Sequence, residues 1–349
     1  MNSAKSGSSL PAPVHHLLES AVFTEFATVS AAGTPIDTPA FAFCDAAGGS
    51  VNVATGLAYP AKAERARRNP RVGLLMEGVP GEPVVAIAAH AAVRDANIQA
   101  NVDRYIAETI AYLAAYSAGN PWPVARQSVW YWSRIFICCL PLRILWWPNA
   151  AAMEEPAHEW QAPRDTVYAL SDPAPKAASS PSPRWPSRPW QERVTEALAL
   201  GLPHLTALDA EGYPLPVRAR KVEPMEGGFL IEVPAGARWA TRGPASLCFL
   251  GTITFIGYIE PHAGATAFVV GRVLPTLPTV ADPRELWQPS ETTRRVFTTR
   301  LTRELERRGL PMPQVPIEPP APTLGSLRRA ERIARLATEA AARQAADSS

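Results

Sequence analysis

The chain has 349 residues, with 34 Lys and Arg against 32 Asp and Glu, a formal net charge of +2. That balance offers no electrostatic case for nucleic acid or an anionic membrane surface as the main partner. Hydrophobic residues at 47% supply a core and exclude wholesale disorder. The length predicts two domains, and 37 prolines predict many turns and at least one Pro-rich connector.

The segment from Met1 to Leu10 is Ser-rich and has no apolar signal core. Phe26 to Phe43 reads strand, Gly33 turn, strand, and VNVATG from Val51 is a further strand. A short helix is predicted over Pro60 to Arg68, a strand after Pro70, and a strand over Val84 to Val93. A long helix is predicted from about Ala96 to Ser117, with Val102, Ile106, Ile110 and Leu113 on one face. The apolar run Ile135 to Trp147 contains Pro141 and Arg143 and is too short to cross a bilayer, so a cytoplasmic protein with no membrane partner is expected.

Between Met153 and Trp190 the composition turns to Pro, Ala and Ser, which predicts an extended linker or a strap over a surface. Beyond it, Leu205 to Val222 again reads strand, Gly212 turn, strand. A helix is expected from Glu291 to Arg308, and another over Thr323 to Ala346, docked by the narrow stripe Leu327, Ile333, Leu336.

The two halves align in blocks. Phe26 to Phe43 matches Leu205 to Val222, with Gly33 over Gly212 and Pro35 over Pro214. VNVATG matches FLIEVP from Phe229, Asn69 to Met76 matches Gly243 to Leu250, and Val84 to Val93 matches Ala267 to Val273. A tandem duplication is therefore expected. The fold class is mainly β with flanking helices: two tandem antiparallel split β-barrels forming an intrachain pseudo-dimer, with a further homodimer compatible. The boundaries are a barrel over 14–150, a Pro-rich linker over 151–189, a degenerate second barrel over 190–322, and a helix and tail over 323–349.

Few residues advertise chemistry. Cys44, Cys138, Cys139 and Cys248 form no CxxC pair, and no His cluster has zinc spacing, so no metal site is expected. No Ser/His/Asp arrangement, carboxylate pair or P-loop appears, and no catalytic residue is assigned. His90 reads as a strand residue rather than a base or haem ligand. Trp130, Trp132, Trp146 and Trp147, placed on two adjoining strands, suit a core or the cover of a flat cofactor. Lys62 falls in the first turn of a helix, where free amides and the dipole favour an anion, and Thr55-Gly56 leads to it. Lys62, Arg65 and Arg68 also fit a plain solvated helix face.

Thr55 through Leu75 is the most specific stretch: strand end, Thr-Gly, Lys, an Arg-rich helix, Asn-Pro and an apolar strand. With the strands around it, it resembles the pyridoxamine 5'-phosphate oxidase-like, FMN-binding split barrel superfamily. The resemblance implies a cofactor between two barrels: FMN, or in relatives the deazaflavin F420 or haem. It implies a flavin-dependent oxidoreductase acting on a small molecule, or a non-catalytic carrier on the same scaffold. Carried over, Lys62 with Thr55 and Gly56 would hold the phosphate, Pro39, Ala40 and Phe41 would lie along the ring, and Trp146 would cover it. The namesake's Arg-x-Val-Leu-Leu-Lys motif is missing. In the second half the segment corresponding to Val51–Pro70 is shorter and lacks a Lys. One anchor per chain is therefore expected, with Arg218, Arg220 or Trp239 as the opposite wall.

Overall fold

A computed structural model describes residues 10–45, 49–115, 122–177, 188–262, 265–275 and 290–347. In chain order, α1 (Ala12–Ser20) leads to β1 (Phe23–Val29), β2 (Pro35–Asp45) and β3 (Ser50–Gly56). Then come α2 (Ala61–Arg68), β4 (Arg71–Glu77), β5 (Val84–Arg94) and α3 (Ile98–Ala115). Two single-turn helices, α4 (Trp122–Ala125) and α5 (Val129–Trp132), precede β6 (Arg134–Trp147) and β7 (His158–Gln161). The sheet runs β3-β2-β1-β4-β5-β6-β7, and β3 also pairs with β6, which closes β1 to β6 into a barrel. One long strand makes the closure: β2 pairs with β1 through residues 35–41 and with β3 through 42–45.

The second unit holds α6 (Val194–Ala199), β8 (His204–Leu208), β9 (Pro214–Arg218), β10 (Lys221–Met225) and β11 (Gly228–Glu232). It continues with β12 (Gly243–Phe249), β13 (Ile253–His262), β14 (Ala265–Val273), α7 (Glu291–Arg308) and α8 (Leu324–Asp347). Its sheet runs β10-β11-β14-β13-β12-β8-β9. Because β9 pairs with β8 and β10 with β11, these two short strands together do what β2 does alone. The strand order of the two units is then the same, and the chain is a tandem arrangement of antiparallel split barrels.

Both hairpins share one register: Val29 faces Pro35 around Gly33 (φ 77°), and Leu208 faces Pro214 around Gly212 (φ 81°). Two block alignments from the sequence need correction. Val84–Val93 lies in β5, whereas Ala267–Val273 lies in β14, which pairs with β11 as β6 pairs with β3. Along β4 and β12 the core ladder sets Phe26 against Leu74 and Leu205 against Leu247, one residue off the alignment by Pro positions. A slip of one residue exchanges the faces of a strand, so identical turn residues are a poor guide to register here.

Each barrel has an apolar interior, the first around Phe26, Phe43, Leu74 and Phe136, the second around Leu205, Leu247, Phe255 and Phe268. The outer face of the first also contributes: Leu75, Val84, Ala86 and Trp147 join the second core. The barrels approach closely at Gly73, where a Cβ would sit 1.6 Å from the Pro214 carbonyl oxygen. Trp130 and Trp132 lie on α5, not on a strand; Trp132 and Trp147 are fully buried core residues.

After β7 the chain straps back over the first barrel. Asp172 accepts from the Asp95 and Ala96 amides at 2.8 and 2.9 Å, and Ser171 from the Val93 amide. α7, although it follows the second barrel, packs on the first: Arg300 Nε donates to the Ala58 carbonyl at 2.9 Å and its guanidinium covers Tyr59. α8 is held by Ile333 of the predicted apolar stripe, which packs on the first core, and by ion pairs. Leu327 is 42% exposed, whereas Arg329 and Arg332 are buried and pair with Glu108 and Glu82.

Candidate functional site

Alternate residues of a strand share a face, and the registers place Glu25, Asp37, Pro39, Gly73 and Glu77 on the side of the first barrel that meets the second. The second presents His204 and Thr206 from β8, Arg218 from β9, and Ser246 and Cys248 from β12. The seam between two hydrophobic barrels is thus a layer of buried polar groups.

Glu77 Oε2 lies 2.5 Å from Arg218 Nη2 and 3.0 Å from His204 Nε2. Burial alone would raise Glu77, but these two donors outweigh it and hold the carboxyl at about 2. The other ring nitrogen of His204, Nδ1, faces Glu25 Oε1 at 3.4 Å. Glu25 behaves oppositely: burial, reinforced by Asp37, pushes it up to about 8. Asp37 is fully buried and rises to about 6 for the same reason, with Glu25, Thr206 and Lys62 pulling the other way. One imidazole therefore stands between an ionised carboxylate and a carboxyl protonated at neutral pH, an arrangement able to hold and pass a proton.

Lys62 reaches this layer from α2. Its ammonium donates to the Pro39 carbonyl at 3.3 Å and, among the described residues, has no ion pair. Burial and neighbouring Arg65 lower it to about 8. Arg65 donates from Nε to Thr28 Oγ1 at 2.7 Å and Arg68 to the Val29 carbonyl, so this face of α2 grips the β1–β2 hairpin rather than only solvent. Pro39, Ala40 and Phe41 follow on β2. Ala40 is buried, and the Phe41 ring stacks on Phe23 at 4.9 Å, with Phe23 52% exposed.

Thr55 and Gly56 end β3 opposite Ile135 and Arg134. The turn that follows them is covered by Arg300 and Phe297 of α7. Trp146 stacks on His158 at 4.2 Å and pairs with Val85. It stands at the opposite end of β6 from Arg134, roughly 40 Å along the strand from Gly56. The structure therefore brings Lys62 and Pro39 together, with Phe41 two residues on, and leaves Trp146 apart.

On the opposite wall Arg218 is committed to Glu77, and Arg220 to Glu154. Trp239 donates to the Leu215 carbonyl and packs into the second core. His90 pairs in register with Arg71 and Leu140 and lies against Tyr168 of the strap. A cavity of about 330 Å³ beside Tyr168 lies between the barrels, lined by Ala88 and Arg143 of the first and Glu211 and Tyr213 of the second, and one of about 490 Å³ lies beside Lys176; neither is lined by Lys62, Glu25 or His204. Sequence reasoning missed Glu25, Asp37, Glu77, His204 and Cys248. The available signal was a carboxylate inside each of the apolar strands FTEFATV and PIDTPAF.

No family model matches the sequence, and no curated protein does. Among solved structures, a pyridoxamine 5'-phosphate oxidase-related, FMN binding protein from Nostoc punctiforme is 13% identical, with 40% of this chain and 86% of that chain covered, at a TM-score of 0.29. General Stress Protein 26 from Bacillus anthracis is 13% identical, with 43% and 95% covered, at 0.28. An F420 reductase is 14% identical, with 40% and 100% covered, at 0.29. Each spans about one barrel's worth of this chain. Among the described residues no helix is long and apolar enough to cross a membrane. By its own strand order and closure, this chain is a pair of antiparallel split barrels joined face to face through a buried polar seam.

Proposed function

We propose that the chain is a flavoprotein that holds one FMN, or a deazaflavin of the F420 kind, at the edge of the seam, and serves in oxidation–reduction. One observation carries this reading: the Lys62 ammonium, with no ion pair, is seated on the Pro39 carbonyl two residues from Phe41, whose ring and the exposed Phe23 ring make an aromatic platform. A cation beside a flat apolar surface suits a phosphate-bearing, plate-shaped cofactor. Of the neighbouring acids Glu25 stays protonated up to about 8, whereas Asp37, at about 6, is ionised at neutral pH and shares the ammonium with the incoming phosphate. The flavin supplies hydride or electron transfer when bound. Lys62 would hold its phosphate, Phe23 and Phe41 would orient the ring, and the Glu25–His204 pair lies in the same layer to hold a proton. We read the second barrel as a tandem copy that has become a wall, since Trp239 fills its corresponding segment.

The test is mass spectrometry of ligand released from the purified chain, with fluorescence titration by FMN and by F420. One flavin or deazaflavin equivalent per chain is expected. Absence of both, with no quenching on titration, overturns the reading. Reduction of the bound cofactor by nicotinamide nucleotides, followed by its absorbance, then separates an enzyme from a carrier.

A further inference from the structure

The cavity of about 330 Å³ lies where three parts of the chain meet: Ala88 and Leu142 of the first barrel, Tyr213 of the second, and Ala162 and Pro163 of the strap. That volume falls at the lower end of small-molecule sites. The acids around it are already engaged. Asp209 accepts from Arg143 and from the Glu211 and Tyr213 amides at 3.0 and 2.8 Å, and Glu211 Oε2 stands 3.4 Å from Arg143 Nη2. Two donors are not engaged. Arg164, an exposed lining residue, has no ion pair among the described residues. Tyr168 also lines the cavity, and its hydroxyl is buried without a hydrogen bond. Burial and neighbouring Tyr213 push that hydroxyl up from its ordinary value, so it keeps its proton and can donate. Arg71 adds a further cation, its guanidinium carbon 5.9 Å from the centre of the Tyr213 ring. His90, with its ring centre 5.0 Å from that of Tyr168, adds no acid, since burial and Arg71 lower it and favour the neutral imidazole.

We infer that this cavity binds a small aromatic carboxylate, with the carboxylate between Arg164 and the Tyr168 hydroxyl and the ring against Ala88, Leu142 and Pro163. Buried polar atoms are almost always satisfied, and donors left over beside spent acids call for an anionic acceptor. A guanidinium and a hydroxyl suit a carboxylate through charge-assisted hydrogen bonds. The aliphatic walls and the two tyrosine rings suit an apolar, flat body. One water, with a share of about 30 Å³ in the liquid, would satisfy the hydroxyl but leave most of the space and its apolar wall empty. A ligand touching both barrels and the strap stabilises their closure, since it binds the folded chain alone. The cavity shares no lining residue with the Lys62 site, so benzoate binding stands or falls without any flavin.

The full chain is titrated calorimetrically with benzoate and with benzamide, its neutral isostere, and its thermal unfolding is followed with each. Expected are one benzoate per chain, affinity at least about tenfold above that of benzamide, the worth of one charge-assisted bond, and a higher unfolding midpoint with benzoate. Arg164→Gln should weaken benzoate at least about tenfold and leave benzamide unchanged, while Arg188→Gln should behave as the unaltered chain. Tyr168→Phe should weaken benzoate without lowering the midpoint of the ligand-free chain, because its hydroxyl has no bond there to lose. Saturating FMN should leave benzoate binding unchanged. The two titrations of the unaltered chain need no variant. Absence of saturable benzoate binding, equal affinity for benzamide, displacement of benzoate by FMN, or a Tyr168→Phe chain that is less stable yet binds benzoate fully overturns the inference.

Discussion

Glu25 and His204 occupy the same position in their respective hairpins, four residues before the strand ends at Val29 and Leu208, and they face each other at 3.4 Å. In a two-fold symmetric dimer a residue on the axis meets its own copy. Two barrels in one chain escape that constraint, and here the place that would set like against like sets a carboxyl against an imidazole. His204 then carries the contact across to Glu77 and Arg218, which ties the second barrel to β4 of the first.

This pair sets a pH dependence. Glu25 and Asp37 have folded values of about 8 and 6, above their ordinary 4.5 and 3.8. A raised acid binds more protons in the folded chain, so stability falls as pH rises from about 4 to 8. Glu77, held at about 2, gives the opposite slope only below pH 4.5, and Lys62, lowered to about 8, gives a rising slope only between about 8 and 10.5. Thermal midpoints of the chain should therefore drop from pH 5 to 8, and Glu25→Gln should flatten that drop. An equally steep drop in the variant removes Glu25 as its source.

Lys62→Ala should weaken FMN binding by about 1–3 kcal/mol, the worth of a charge-assisted hydrogen bond. Arg68→Ala, on the same helix but turned to the Val29 carbonyl, should change it far less. Isothermal titration of the two variants decides; equal losses would mean that α2 acts through general charge and not through a seated ammonium.

Gly73→Ala tests the docking of the barrels. The added methyl would meet the Pro214 carbonyl at 1.6 Å, and neither backbone can yield without shifting a sheet. A loss of about 3 kcal/mol in urea unfolding is expected, at the upper end for overpacking. A change below about 1 kcal/mol would show that the strands separate easily there.

Arg329→Met should free α8. The buried guanidinium donates to the Glu108 carboxylate at 2.5 Å and to its backbone carbonyl at 2.9 Å. Its removal leaves Glu108 without that partner, a cost of about 1–3 kcal/mol. Limited proteolysis should then cut within 324–347 while the barrels stay intact. A cleavage pattern like that of the unaltered chain would shift the docking role to Arg332.

The sequence by itself determined what depends on near neighbours. Period-two alternation marked the strands. Gly33 and Gly212, at positive φ, marked both hairpins, and a Ser290 cap with Gly309 beyond its end bounds the helix expected over Glu291 to Arg308. That Lys62 stands in the first turn of a helix was legible, because it is a local pattern. The tertiary structure decided what depends on strands far apart in the chain. It paired β14 with β11 and not in the place of β5, moved Trp130 and Trp132 onto a helix, and turned Trp146 away from Lys62. It added buried arginines to the apolar docking of α8, because the first barrel offers Glu82 and Glu108 where the helix lies. Above all it gathered Glu25, Asp37 and Cys248, which no spacing rule connects. Each reads locally as an ordinary strand residue, and only the face-to-face closure of two barrels buries the three together.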